Sequence, residues 1–284
     1  MKDNPLVSII VPTYNSQNTL EKCLTSIRNQ TYENIETLIV DNGSTDGTVE
    51  IAHQYGAKVH TLVGVERSKQ INYGVKMAQG KYVYRVDSDF ILDSTIVEEA
   101  TRKCEDEGYD AVSIFCASDP TISFWSKVRN LEKDCYKDEL LYTGARFFKK
   151  EVFESIGGFR EDLIAAEDYD LYNRLKKTNY RIGTIKSQEL HIGEPKRLID
   201  IIRKQYYYGL TIRGFLKANP TAGVIQLNPI RLPLIRNWRK FAKHPLLTIG
   251  FIIYYIVQYG SALTGLIVSY IRKPGSVEQP KSSL

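Results

Sequence analysis

The chain is sparing with cysteine, methionine and tryptophan: four, two and two in 284 residues. Cys23, Cys104, Cys116 and Cys135 form no CxxC pair, and no histidine stands at metal-finger spacing from them. That excludes a zinc module and a disulfide-stapled scaffold, and the four read as buried or free thiols of a reducing compartment. The first residues lack the apolar core of a secretory signal, and the first apolar run, 6–11, is too short to cross a bilayer. Internal repeats are absent. A chain 43% hydrophobic and 25% charged is neither disordered nor collagen-like, and its length suits one large domain or one and a half.

Two further absences are local. Residues 196–244 carry 11 basic side chains and a single acidic one, Asp200, whereas residues 1–195 carry a net −7. The overall +5 therefore describes no part of the molecule. Residues 245–271 carry no charge at all and are rich in Ile, Leu, Val, Tyr and Phe. A spanning helix needs roughly 20 such residues, so this stretch reads as a membrane-embedded, re-entrant or interfacial segment, with a buried helical hairpin as the alternative. The polar stretch from 274 reads as a disordered tail.

What is present in the first 195 residues is an alternation. Strand-like runs at 6–11, 35–40, 58–62 and 81–86 are separated by amphipathic helical patterns at 18–30, 45–54 and 68–79. A helix at 94–107, a strand at 110–116 and a helix at 124–139 follow. An extended piece at 144–148, helices at 150–156 and 166–178, and a strand at 180–185 complete the pattern. This order predicts an α/β fold with a mostly parallel sheet flanked by helices. Ligands of such sheets bind beyond the carboxyl ends of strands, so the clusters Tyr14-Asn15, Asp41-Asn42 and Asp87-Ser88-Asp89 should converge on one cleft.

Three groups there carry chemistry. Asp87 and Asp89, two residues apart at a strand end, can face one hard divalent ion and a diphosphate. Glu167-Asp168 opens a helix, where the macrodipole favours acids and where a carboxylate is aimed rigidly enough to serve as a general base. His191 is a candidate third metal ligand.

In combination these residues resemble glycosyltransferase family 2, the inverting enzymes of GT-A fold. The resemblance runs through Val7 to Asn15, Ile39 to Thr48, Asn72-Tyr73-Gly74, Gly80 to Val83, Asp87-Ser88-Asp89, Gly157-Gly158-Phe159 and Glu167-Asp168. It implies that Pro12, Tyr14 and Asn15 line a nucleoside pocket and that Asp41, with Asn42, reads the base. It implies that Asp87 approaches the ribose or the metal, that Ser88 belongs to the nucleotide-sugar site, that Asp89 holds Mg²⁺ or Mn²⁺ on the diphosphate, and that Asp168 is the base with Glu167 beside it. Many relatives carry Ala-Arg-Asn where this chain has Gln70-Ile71-Asn72. Arg67, about one helical turn earlier, is the candidate substitute on the diphosphate, with Lys69 its rival.

The expected function is transfer of a sugar, with inversion, from a UDP- or GDP-sugar to a hydroxyl of a membrane-linked glycan or lipid. A polyprenyl-phosphate acceptor is the alternative, and it would need no base. A sugar nucleotidyltransferase would need a Gly-rich, Arg-containing loop where Pro12-Thr13-Tyr14-Asn15 stands. A non-catalytic membrane-associated binding protein would not require Asp89 and Asp168. The expected organisation is a GT-A domain at 1–195, basic amphipathic helices at 196–244 and a hydrophobic segment at 245–273. Set against that segment, the basic stretch points to anionic lipid or a pyrophosphate-linked acceptor rather than nucleic acid, and to the cytoplasmic face of a membrane. The oligomeric state, a homo-oligomer included, stays open.

Overall fold

The computed structural model describes residues 4–137 and 139–271. The tail expected from 274 lies outside them. The alternation read from the sequence is present. Strand β1 (Val7–Thr13) is followed by α1 (Gln17–Arg28), β2 (Ile35–Asp41), α2 (Thr48–Gln54), β3 (Lys58–Thr61), α3 (Arg67–Met77) and β4 (Tyr82–Arg85). The chain then adds β5 (Phe90–Leu92), α4 (Ile96–Glu107), β6 (Ala111–Ser113), β7 (Cys116–Ser118), α5 (Phe124–Lys133), α6 (Leu140–Thr143) and β8 (Ala145–Lys149). Next come α7 (Lys150–Ser155), α8 (Glu167–Lys176), β9 (Ile182–Thr184), β10 (Glu189–His191) and α9 (Leu198–Thr211). Short helices α10 (Arg213–Ala218), α11 (Pro220–Gln226), α12 (Leu232–Arg236) and α13 (Trp238–Ala242) lead to the long α14 (Pro245–Ile271).

Seven strands form one mixed sheet in the order β3-β2-β1-β4-β8-β6-β9, parallel throughout except for β8, which runs antiparallel to both neighbours. The chain winds from β1 outward through β2 and β3, then returns to place β4 on the other side of β1. That reversal is where an open α/β sheet leaves a crevice at its carboxyl edge. β1 is buried along its whole length, as a strand covered on both faces must be. Ile9 and Val11 pack on one face with Leu20, Ile96 and Phe147, and Ile10 packs on the other with Ile71, Phe148 and Leu171.

Two expectations differ from the structure. The strand read at 110–116 is two three-residue strands in different sheets: β6 lies in the main sheet, and β7 joins β5 and β10 in a second one, ordered β5-β10-β7. The helix read at 124–139 stops at Lys133 and gives way to a 3-10 turn, Asp134–Tyr136.

α14 is a single helix, not a hairpin, and is long and apolar enough to cross a membrane by length and composition. Its inner side lies on the rest of the fold. A Cβ on Gly209 of α9 or on Gly265 of α14 would collide with the facing backbone, at Ala262 and Tyr206 respectively, so the two helices cross at backbone contact. Arg213 donates to the Ser269 carbonyl at 2.6 Å, and Phe251 packs on Phe241 with ring centroids 4.8 Å apart. The outer side is an apolar stripe: Ile249, Ile252, Ile256, Leu263, Ile267 and Tyr270 are all more than half exposed.

Candidate active site

At the carboxyl edge of the sheet a cavity of about 900 Å³ is lined by Pro12, Tyr14, Asn15, Arg67, Asp87, Ser88, Asp89, Glu167 and His191. The turn after β1 is shaped by Asn15, whose backbone is left-handed (φ 49°), a conformation that asparagine tolerates better than most residues. Its amide donates to Ser44 Oγ at 2.8 Å, and its own Oδ1 accepts the Thr45 amide at 2.9 Å.

Asp41 and Asn42, expected to read the base, do not line this cavity. Asp41 is buried, accepting Thr13 Oγ1 at 2.8 Å and both the hydroxyl and amide of Ser44. Asn42 holds the following loop by donating to the Val65 carbonyl and accepting the Gly64 amide. Both residues shape the loops that carry Asn15 and Arg67.

Arg67 lines this cavity. From the first turn of α3 it donates Nη1 to Asp87 Oδ1 at 2.8 Å and Nη2 to Glu167 Oε1, and its Nη2 lies 3.8 Å from Asp168 Oδ2. Ile71 is buried in the core, and Lys69 is exposed and lines neither this cavity nor its neighbour.

The sequence reading missed two more arginines. Arg85, 4% exposed, lies over the Phe159 ring and places Nη2 3.0 Å from Asp168 Oδ1. Arg146 lies over Phe90, 3.6 Å from Asp87 and 3.1 Å from the fully buried Glu189, which also accepts Tyr84 Oη at 2.7 Å. A charged residue inside the apolar run of β4 was the one available signal for Arg85; nothing local marked Arg146 or Glu189.

These cations set the charge states. Burial pushes the carboxyls of Asp87 and Asp168 up, but the surrounding guanidiniums outweigh it and hold both below their usual range: Arg67, Arg146 and Arg85 at Asp87, and Arg85, Arg67 and Arg146 at Asp168. At Glu167 burial wins over Arg67 and the pKa rises. Asp168 is thus an ionised carboxylate beside a Glu167 that is harder to ionise. The residue before them, Ala166, has φ 61°, left-handed backbone that a β-carbon strains.

Asp87, Asp89 and His191 do not come together as a ready ligand set, because Asp87 is held by Arg67 and Arg146. Among the described residues no group of three His, Cys, Asp or Glu side chains is arranged to hold a metal. Asp89 and His191 do fit a hard divalent ion that keeps phosphate and water ligands. His191 Nε2 lies 3.0 Å from Asp89 Oδ2, and its Nδ1 lies 3.0 Å from Glu194 Oε1, which fixes the ring. Gly193 makes room, since a Cβ there would overlap the Asp89 carboxylate.

A second cavity, about 600 Å³, adjoins the first and shares Arg67, Phe90, Glu167 and Tyr208 with it. Asp168 lines this one and not the first. Its far wall is made by α14.

A mixed α/β sheet flanked by helices, with carboxylates clustered at its carboxyl edge, is a GT-A-like fold. The sequence profile of glycosyl transferase family 2 matches residues 8–157, more than half of the chain, and the chain belongs to that family. It is 26% identical over 220 residues to the glycosyltransferase AglE of Haloferax volcanii, covering 72% of each chain. It is 39% identical over 102 residues to the glycosyltransferase GlyA of Streptococcus pneumoniae, a match that takes in 34% of this chain and spans only 15% of GlyA. Among solved structures, the mannosyltransferase PcManGT of Pyrobaculum calidifontis, in complex with GDP-Man and Mn²⁺, superposes with a TM-score of 0.60 at 21% identity, covering 95% of this chain and 88% of that one.

Proposed function

We propose that this glycosyltransferase is a metal-dependent, inverting enzyme. It moves a sugar from a UDP- or GDP-sugar to a hydroxyl of a membrane-linked glycan or lipid, at the cytoplasmic face of a membrane. The observation that carries the reading is the placement of acids across two adjoining cavities: Asp87 and Asp89 line one, Asp168 lines the other, and Arg67 with Glu167 stands between them. In-line displacement needs that layout, with the leaving group on one side of the anomeric carbon and the nucleophile with its base on the other.

Pro12, Tyr14 and Asn15 would hold the nucleoside, and Ser88 and Asp87 the ribose. Arg67 would turn from Asp87 and Glu167 to the diphosphate, as a fork-shaped donor suited to phosphate oxygens. Asp89 and His191 would hold Mg²⁺ or Mn²⁺, which would neutralise charge gathering on the leaving diphosphate. The acceptor oxygen bonds to the anomeric carbon, the bond from that carbon to the phosphate oxygen breaks, its electron pair leaves with the nucleoside diphosphate, and the hydroxyl proton passes to Asp168. The solved neighbour that carries GDP-Man and Mn²⁺ on this fold supports that donor class.

For the membrane, the supporting observation is the outer stripe of α14, continued by Ile230, Leu232, Ile235 and Trp238, all more than half exposed beside Arg236. Because the inner side of α14 is docked from Phe251 to Ser269, an interfacial helix fits better than a free span. On this reading residues 1–195 are catalytic, 196–244 a basic interface and 245–273 the anchor.

The test is turnover by the full chain with a panel of nucleotide sugars and Mn²⁺, reading the anomeric configuration of the product by proton NMR. Inversion is expected. Asp168→Asn should lower turnover by about 10²–10⁴-fold, the usual worth of a general base, with donor binding retained. A retained anomer, or full turnover by the variant, overturns the reading.

A further inference from the structure

The second cavity has walls of two kinds. Arg129, Lys133, Arg146 and Arg231 make one side cationic, while Leu216 of α10 and Ala262, Leu263 and Leu266 of α14 make the other apolar. Three of the cations have close carboxylate partners: Arg129 with Glu132 at 2.5 Å, Lys133 with Glu194 at 3.1 Å and Arg146 with Glu189 at 3.1 Å.

Arg231 is different. Its side chain is 11% exposed and, among the described residues, its nearest carboxylate oxygen, Glu132 Oε1, is 3.9 Å away. That carboxylate is already held by Arg129 and by Tyr136 Oη. The guanidinium lies over the rings of Tyr136 and Tyr142, 5.4 and 5.0 Å from their centroids, which fixes its plane. Its Nη1 donates to Tyr136 Oη at 3.3 Å, and its Nε is buried with no hydrogen-bond partner among the described residues. Across the cavity, Gln258 Oε1 is buried without one too. A buried guanidinium with an unused donor is costly unless an anion completes it.

Leu263 supplies the other half. It lines the cavity and is 57% exposed on the outer stripe of α14, so the apolar wall is continuous with the surface assigned to the membrane.

We infer that this cavity is the acceptor site and that it takes a hydroxyl-bearing glycan carried on an alkyl phosphate or alkyl pyrophosphate. Arg231 holds the anionic group, Leu263 and Leu266 the chain, and Asp168 the attacking hydroxyl of the carried sugar. The inference rests on the enzyme reading above and adds the acceptor's chemical class. Size is consistent: about 600 Å³ holds a head group and the first part of a chain, and the remainder lies along α14.

The test uses the full chain in nonionic detergent and four probes below their micellar concentrations: dodecyl phosphate, dodecyl pyrophosphate, inorganic pyrophosphate and dodecanol. Binding is read by thermal shift and titration calorimetry, and a nucleotide sugar with Mn²⁺ is titrated separately. The two alkyl anions should bind at least tenfold more tightly than inorganic pyrophosphate or dodecanol, and the tighter of the two names the head group. Arg231→Gln should weaken the alkyl anions about tenfold or more, the usual effect of losing a charge-assisted hydrogen bond. Leu263→Glu, at a position too exposed to threaten folding, should do the same by placing a carboxylate at the mouth. Neither variant should change donor affinity. Equal binding of inorganic pyrophosphate or of dodecanol, or alkyl-anion binding unchanged in both variants, overturns the inference. If the alkyl anions fail while the donor binds, the acceptor assignment alone falls; if the donor fails as well, the enzyme reading falls with it.

Discussion

Arg67 donates through Nη1 to Asp87 Oδ1 at 2.8 Å, so the cation proposed for the donor diphosphate is held by a carboxylate of the same cavity. Its second nitrogen is held by Glu167. The guanidinium is therefore pre-positioned between the two cavities, and a diphosphate has to compete with two carboxylates for it. Arg67→Ala should weaken nucleoside diphosphate binding about tenfold or more, since two charge-assisted bonds to phosphate are lost. It should also lower kcat, because Glu167 is left buried without its cation. Calorimetric titration with UDP and GDP in Mn²⁺ reads the first effect; unchanged affinity would remove Arg67 from the diphosphate site.

Arg85 gives a pH prediction. Its guanidinium, 3.0 Å from Asp168 Oδ1, is the strongest of the cations holding that carboxyl below its usual range. A base must be ionised, so activity is present above the Asp168 pKa and lost as pH falls through it. Arg85→Gln removes the nearby positive charge and raises that pKa. The acid limb of the kcat/KM profile should move to higher pH, with the alkaline side little changed. An unmoved limb would mean that another group controls it.

Gly193 tests the metal site without touching a ligand. A Cβ at this position would overlap the Asp89 carboxylate, which must then swing away from His191. Gly193→Ala should weaken Mn²⁺ binding in the presence of nucleoside diphosphate about tenfold or more, as disturbing a ligand's support commonly does. Electron paramagnetic resonance of free Mn²⁺ reads this directly. Full affinity in the variant would show that Asp89 is not a ligand.

The readable part of this protein was the part encoded locally. β1 to β4 and their helices could be placed because each strand is a short apolar run followed by a turn cluster, and Tyr14, Asn15, Asp87 and Asp89 follow from where strands end. The three-residue strands β5, β7 and β10 could not be placed, because pairing between His191, Phe90 and Ser118 joins distant stretches with no periodicity of their own. Arg67, proposed from the gap left by Ile71, lines the cavity. Arg85, Arg146 and Glu189 were not, because a buried ion network is a property of packing. The second cavity was invisible for the same reason: it exists only because α14 docks on α9, and the close approach at Gly209 and Gly265 has no signature beyond small residues.

The outer stripe of α14 carries the membrane assignment and can be tested at single positions. Ile249 and Ile256 are 58% and 67% exposed, so replacing either removes little internal packing. Ile249→Glu with Ile256→Glu places two carboxylates in the face proposed to enter the lipid boundary. Each charge at apolar depth costs on the order of 2–3 kcal/mol, and both repel anionic lipid. The thermal unfolding midpoint in detergent should stay within a few degrees of the parent, while flotation with phosphatidylglycerol vesicles should fall at least tenfold. In the parent chain added salt should weaken flotation without abolishing it, because salt screens Arg236 and Arg239 but leaves the apolar contact intact. Flotation abolished by salt alone would make the attachment purely electrostatic. Flotation unaffected by the double substitution would place the lipid contact elsewhere on the molecule.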